Sequence, residues 1–257
     1  MDTRVSLKRL IRKEVLVTLA LSAIVMPAFT YYVLASRLEE VYRNGSLLVA
    51  LAPSGIIMLV LSKFVPDRDE ELIMVNFFVS QFSIITYLPI ILHLFLGKST
   101  RVASFKLFAQ SALLVFGPYL ASMAINRKEN LKRALFNSRP FAVPLMIFLV
   151  ISISIADASE KILISIDLLY LALVILCIYL LQGGLAYLSG RLFFDETRAK
   201  TLALVASSRN IQFIIAVALL NFAPMIIVPL IMGILLHHVT NLFWISIFQG
   251  PPKGAAA

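Results

Sequence analysis

Two short stretches hold the polar residues that could do chemistry in an otherwise apolar chain. The first is "ALAPSGIIML", with Pro53, Ser54 and Gly55 at its centre. The second is "VASSRNIQFII", with Ser207, Ser208, Arg209, Asn210 and Gln212. Hydroxyls, amides and a guanidinium in one place suit the binding of a small anion or ion. Arg209 would supply counter-charge, the serines would donate or accept, and the amides would fix orientation. Catalysis is a poorer use of the same set, because a serine nucleophile needs an activating base. Ser54, Ser207 and Ser208 have no histidine or carboxylate close by in sequence, so no enzyme is expected. No phosphate loop, dinucleotide fingerprint or metal motif occurs, and no cofactor is implied. His93, His237 and His238 are the only histidines. Adjacent helix positions face different ways, so the pair His237 and His238 does not read as a metal site, and interfacial placement is expected. Cys177, inside an apolar run, reads as a small packing residue.

The elements that must position these residues are membrane spans. Sixty per cent of the 257 residues are hydrophobic and 14% are charged, with a mean hydropathy of +0.92. So little polar surface could not cover a water-soluble domain of this size. The predicted fold class is all-α, a polytopic membrane protein of about eight transmembrane helices, since each span takes about 20 residues. The apolar segments are 15–36, 46–64, 72–97, 104–124, 140–156, 162–188, 201–222 and 224–247. The first is too long for a signal-peptide core and lacks a small-x-small cleavage site. A basic N-terminus (1–14) precedes it, and a loose tail (249–257, ending "GPPKGAAA") closes the chain.

The net charge of +9 does not point to nucleic acid, because the basic residues concentrate at the termini and in short loops. With the N-terminus inside, 16 Lys and Arg fall in cytoplasmic segments against six outside, with Arg209 left within a span. That bias gives cytoplasmic termini in an integral protein, with the cell membrane expected. The lipid bilayer is then one partner, and a small-molecule or ion substrate is the other.

An ionised side chain at membrane depth costs about 2.5–3.5 kcal/mol on lenient scales and marks a functional position by default. Pro53 and Gly55 favour a helix break in the second span. Ser207 to Asn210 interrupt the seventh at matching depth, in the opposite direction. Paired breaks of this kind point to a secondary-transporter site. A bland use of Arg209 is also open, as a structural partner for Asp167, the one acidic residue well inside an apolar segment.

These residues bring out a family likeness. "MPAFTYYVLA", "ALAPSGIIMLVLSKF" and "VNFFVSQFSIITYLP", then "GGLAYLSGRLF" and "TLALVASSRNIQFIIAVAL", resemble the bile acid:sodium symporter superfamily, nearest its arsenite-efflux permease branch. The resemblance implies an inverted-repeat transporter core with two broken crossing helices, packed against a panel domain. It implies the first crossing point at Ala52 to Gly55 and the second at Ser207 to Asn210. Ser80 and Gln81 fall near the polar positions of the helix after the first. The core would be 15–97 and 162–248, and the panel helices would lie in 98–161.

Several positions depart from the family pattern. Ser54 stands where the arsenite branch has cysteine, and trivalent arsenic needs soft thiolates. Val205-Ala206 replaces the carboxylate of the sodium-coupled branch, Arg209 replaces its glutamine, and Gln212 replaces an acidic residue of the arsenite branch. Coupling to Na⁺, to H⁺ or to neither therefore stays open. The chain also opens where the family's third helix would begin. A fragment, a misplaced start, or a reduced protein completing its panel as a homodimer would each explain this.

The expected function is secondary active transport of a small anionic solute by alternating access. The alternative is a non-transporting, degenerate relative acting as a membrane scaffold or assembly partner. The charge tally makes a direct prediction. Single cysteines at positions 37 and 161 should react with an impermeant thiol reagent outside the cell, and those at 133 and 198 should be spared. The reverse pattern overturns the topology.

Overall fold

The computed structural model describes residues 12–97, 104–130 and 166–249, with single positions between 133 and 152. The expected fifth span, the basic terminus up to residue 11 and the tail from 250 lie largely or wholly outside the described residues. Those described are helical, with no β-strand. Five helices are long and apolar enough to cross a membrane: α1 (Lys13–Leu34), α4 (Glu70–Leu96), α5 (Ser104–Asn126), α6 (Ile166–Phe193) and α9 (Ile227–Gln249). Their outer faces carry Leu16, Ile24, Leu94, Leu113, Leu173, Leu188 and Leu235, all exposed. Helices apolar on the outside as well as the inside belong in lipid.

The second and seventh expected spans are each split. The second becomes α2 (Glu40–Leu51) and, after a break, the short α3 (Met58–Leu61) running into a 3₁₀ turn at Ser62–Phe64. The seventh becomes α7 (Glu196–Ser207) and α8 (Ile211–Asn221). The halves are too short to cross alone at about 1.5 Å per residue. Helix α1 is itself irregular, with π-turns at Leu21–Val25 and Thr30–Leu34. Pro27 has no N–H to give the carbonyl four residues back, and the first π-turn lies just before it.

One end of the bundle collects the charges. Arg12 pairs with Asp69 at 3.6 Å and Glu71 at 3.3 Å, Arg198 with Glu14 at 3.2 Å, and Arg191 with Glu196 at 3.2 Å. These pairs tie the starts of α1, α4 and α7 to the end of α6. Asp69 and Asp195 also cap α4 and α7, accepting from the Leu72 and Arg198 amides. Helices α6 and α7 pack closely, because Gly190 lets the Ala199 backbone approach where a side chain would stand. Gly190→Leu would drive a side chain into main chain that cannot rotate away. We expect a loss of about 1–3 kcal/mol, the usual range for overpacking, read as a lower Tm in detergent.

Three expectations change here. Asp167 is not deep in the bundle: it is an exposed residue of the first turn of α6. His237 is not interfacial. It lies half-way along α9, buried, with Nδ1 2.8 Å from the Ile234 carbonyl and its ring 6.2 Å from that of Tyr179. The Tyr179 side of α6 supplies the packing that admits a ring there. Cys177 does not pack inside; it is exposed on α6, because Val174, Ile175 and Ile178 take the inward face.

Candidate functional site

The two helix breaks meet. Ser54 and Arg209 form an isolated antiparallel β-pair. Gly55 N donates to Ser208 O at 2.9 Å and Asn210 N to Pro53 O at 2.7 Å. Those two bonds flank Ser54 and Arg209, which therefore face each other as a non-hydrogen-bonded pair, the closer-spaced kind. Gly55 is needed for that approach: a Cβ there would lie 3.0 Å from the Arg209 carbonyl oxygen.

A broken helix frees backbone groups, and each buried one must find a partner. Around the first break they do. The Leu51 carbonyl accepts from Tyr87 Oη (3.0 Å), that of Ala52 from Arg209 Nη1 (2.8 Å), and that of Ser54 from Gln81 Nε2 (2.8 Å). Ser54 N donates to Ser80 Oγ at 3.2 Å. At the second break, Asn210 Oδ1 caps α8 by accepting from Phe213 N at 3.2 Å. Its Nδ2 reaches Gln81 Oε1 at 3.5 Å.

Side chains alternate across the extended segment 208–210, so Arg209 and Asn210 point to opposite sides. On the Asn210 side, Asn210, Gln212 and Gln81 line a cavity of about 350 Å³ between α4, α5 and α8, with Phe77, Phe82 and Tyr119 among its apolar walls. On the other side, the Arg209 guanidinium is buried between α1 and α6. Its Nε donates to Gln182 Oε1 at 3.0 Å, and its Nη1 to Ser22 Oγ at 3.0 Å.

The structure thus brings all ten candidate residues to one crossing and divides their work. Gln81, Asn210 and Gln212 reach the cavity. Pro53, Ser54, Gly55, Ser80 and Ser208 join or support the breaks. Ser207 hydrogen-bonds back to the Leu204 carbonyl at 3.2 Å. Arg209 holds both breaks from behind. Ser22, Gln182 and Tyr87 complete the site and went unread in the sequence. Gln182 left a signal, a lone amide in the middle of an apolar span.

No protein-family model matches the chain, and a comparison with curated proteins finds no match either.

Among the described residues no carboxylate pairs with Arg209, whose partners are an amide, a hydroxyl and a carbonyl. Asp167 stands about 22 Å further along α6 from Gln182, at roughly 1.5 Å per residue. Arg209→Gln should therefore lower the Tm in detergent, since hydrogen bonds to a charged group are worth about 1.5–3 kcal/mol each. Adding Asp167→Asn should recover none of that loss. Recovery in the double variant would restore the ion-pair account.

Proposed function

We propose that the protein is a secondary transporter of a small organic anion, working by alternating access. The observation that carries this reading is the meeting of two interrupted apolar helices beside a cavity with amide and aromatic walls. Irregular backbone at membrane depth is tolerated where it is buried in protein or lines a cavity, and transporter sites are built from such half-helices. The order of elements supports an inverted repeat of about eight spans: long helix, broken helix, long helix in α1 to α4, and again in α6 to α9. The likeness to the bile acid:sodium symporter superfamily belongs to the same reading, as do cytoplasmic termini and the cell membrane.

In this reading the solute sits with its apolar body against Phe77, Phe82 and Tyr119. Its anionic end faces Asn210, Gln212 and the first turn of α8, where the amides carry the positive end of the helix. Gln81 links the solute to the first break through the Ser54 carbonyl. Arg209, turned away from this cavity, contributes field and support rather than contact.

The test is uptake into proteoliposomes of the purified chain, screening small aromatic and aliphatic carboxylates with Na⁺ and H⁺ gradients imposed one at a time. Gln212→Leu and Tyr119→Ala should each cut uptake of the accepted solute at least several-fold with no change in Tm. Absence of uptake for every carboxylate would favour the scaffold alternative.

A further inference from the structure

None of the twelve residues lining the solute cavity carries a charge. Any preference for the sign of a solute must therefore come from backbone dipoles or from charges behind the lining. The ion pairs at the bundle end balance themselves, Glu14 against Arg198 among them. Arg209 is different. It is 1% exposed, and among the described residues its partners are the Gln182 amide, the Ser22 hydroxyl and the Ala52 carbonyl. All three are dipoles. They solvate the guanidinium at contact distance but bring no net charge, so a full positive charge remains behind the crossing. Inside a protein such a charge reaches further than in water, because the effective dielectric constant is about 20 rather than about 80.

Gln182 stands where that charge could have been cancelled. Arg209 Nε donates to Gln182 Oε1 at 3.0 Å, and Nε shares one edge of the planar guanidinium with Nη2. A carboxylate on that edge accepts from both nitrogens. The amide cannot, since its second atom is itself a donor. Arg209 Nη2 and Gln182 Nε2 are both buried and, among the described residues, without a hydrogen-bond partner. A glutamate would meet the same edge with two oxygens and remove one net charge from the interior. We propose that Gln182 sets the charge preference of the solute cavity, by holding Arg209 through an amide that leaves its positive charge uncancelled. Gln182 does so from behind, without lining the cavity. The inference rests on the transport reading for the use of the cavity, but the charge felt there can be measured without a known solute.

Cys177 is the chain's single cysteine, so Gln212→Cys in a Cys177→Ser background places one thiol in the cavity. Its reaction rates with anionic, cationic and neutral methanethiosulfonates, measured on purified protein, read the local potential, and the neutral reagent controls for access. With Gln182 in place the anionic reagent should be favoured over the cationic. Gln182→Glu should cut that ratio at least several-fold. Gln182→Met adds no charge and should leave it near its starting value. Should Gln182→Glu fail to fold, Arg209→Gln removes the same charge and should lower the ratio likewise. A higher Tm in Gln182→Glu with an unchanged ratio would make Gln182 merely structural and overturns the proposal. So does a Gln182→Met variant whose ratio falls as far as that of Gln182→Glu. A thiol that none of the reagents reaches denies the cavity, and with it both the proposal and the transport reading. The expected ratios together with no uptake of any carboxylate would uphold the role of Gln182 and count against transport alone.

Discussion

Every part of the crossing answers one requirement: backbone groups released by breaking a helix at membrane depth must be paired inside the protein. Each one left unpaired in hydrocarbon costs several kcal/mol. Pro53 makes the first break, and the groups it frees are taken up by two other parts of the chain. Tyr87, Ser80 and Gln81 come from α4, and Ser208, Arg209 and Asn210 from the second break. Neither break can be satisfied alone. Folding the two interrupted helices is therefore one event, and α4 belongs to it.

Arg209 is the side chain that this arrangement makes necessary. The carbonyl of Ala52, at the cap of α2, lies at the negative end of a helix, and Arg209 Nη1 meets it at 2.8 Å. An arginine can span from the second break to the end of α2 while also reaching Ser22 in the π-turn of α1 and Gln182 on α6. A lysine ammonium also has three donors, but they spring from one compact nitrogen and lack the spread of the planar guanidinium fork. The wider π-turn at Leu21–Val25 belongs to the same constraint, since it carries the serine that receives the guanidinium.

Much of this was legible in the sequence, and the rest was hidden for identifiable reasons. Pro-Ser-Gly and Ser-Ser-Arg-Asn state their conflict with a continuous helix locally, so both breaks could be placed from residue type alone. The long spans are set by apolar length, and their ends fall within a few residues of the sequence reading. Which way a buried side chain points is not local. Asp167 looked like the partner of Arg209 because it is the one acidic residue well inside an apolar segment, but helical rise puts it far from the break. His237 looked interfacial once a metal site shared with His238 was set aside, but Tyr179 and the Ile234 carbonyl make it an interior residue. Ser22 is ordinary in sequence and becomes informative only once packing shows that it faces Arg209.

The division of the crossing into two sides also bears on how the protein could move. The side facing α1 and α6 is fixed by the guanidinium and by main-chain pairing, so rearranging it would break several bonds together. The side facing α5 is held differently. There Phe82 meets Phe116 at 5.6 Å between ring centres, and Asn221 Nδ2 meets Gln110 Oε1 at 2.7 Å near the far end of α8. Apolar contacts are non-directional and can slide with little loss, whereas the hydrogen bonds at the breaks cannot. Motion across the seam between α5 and the unit formed by α4 and α8 would break fewer hydrogen bonds, the Asn221–Gln110 bond among them, than motion across the two breaks. The cavity lies along that seam, with its amide residues Gln81, Asn210 and Gln212 on α4 and at the start of α8.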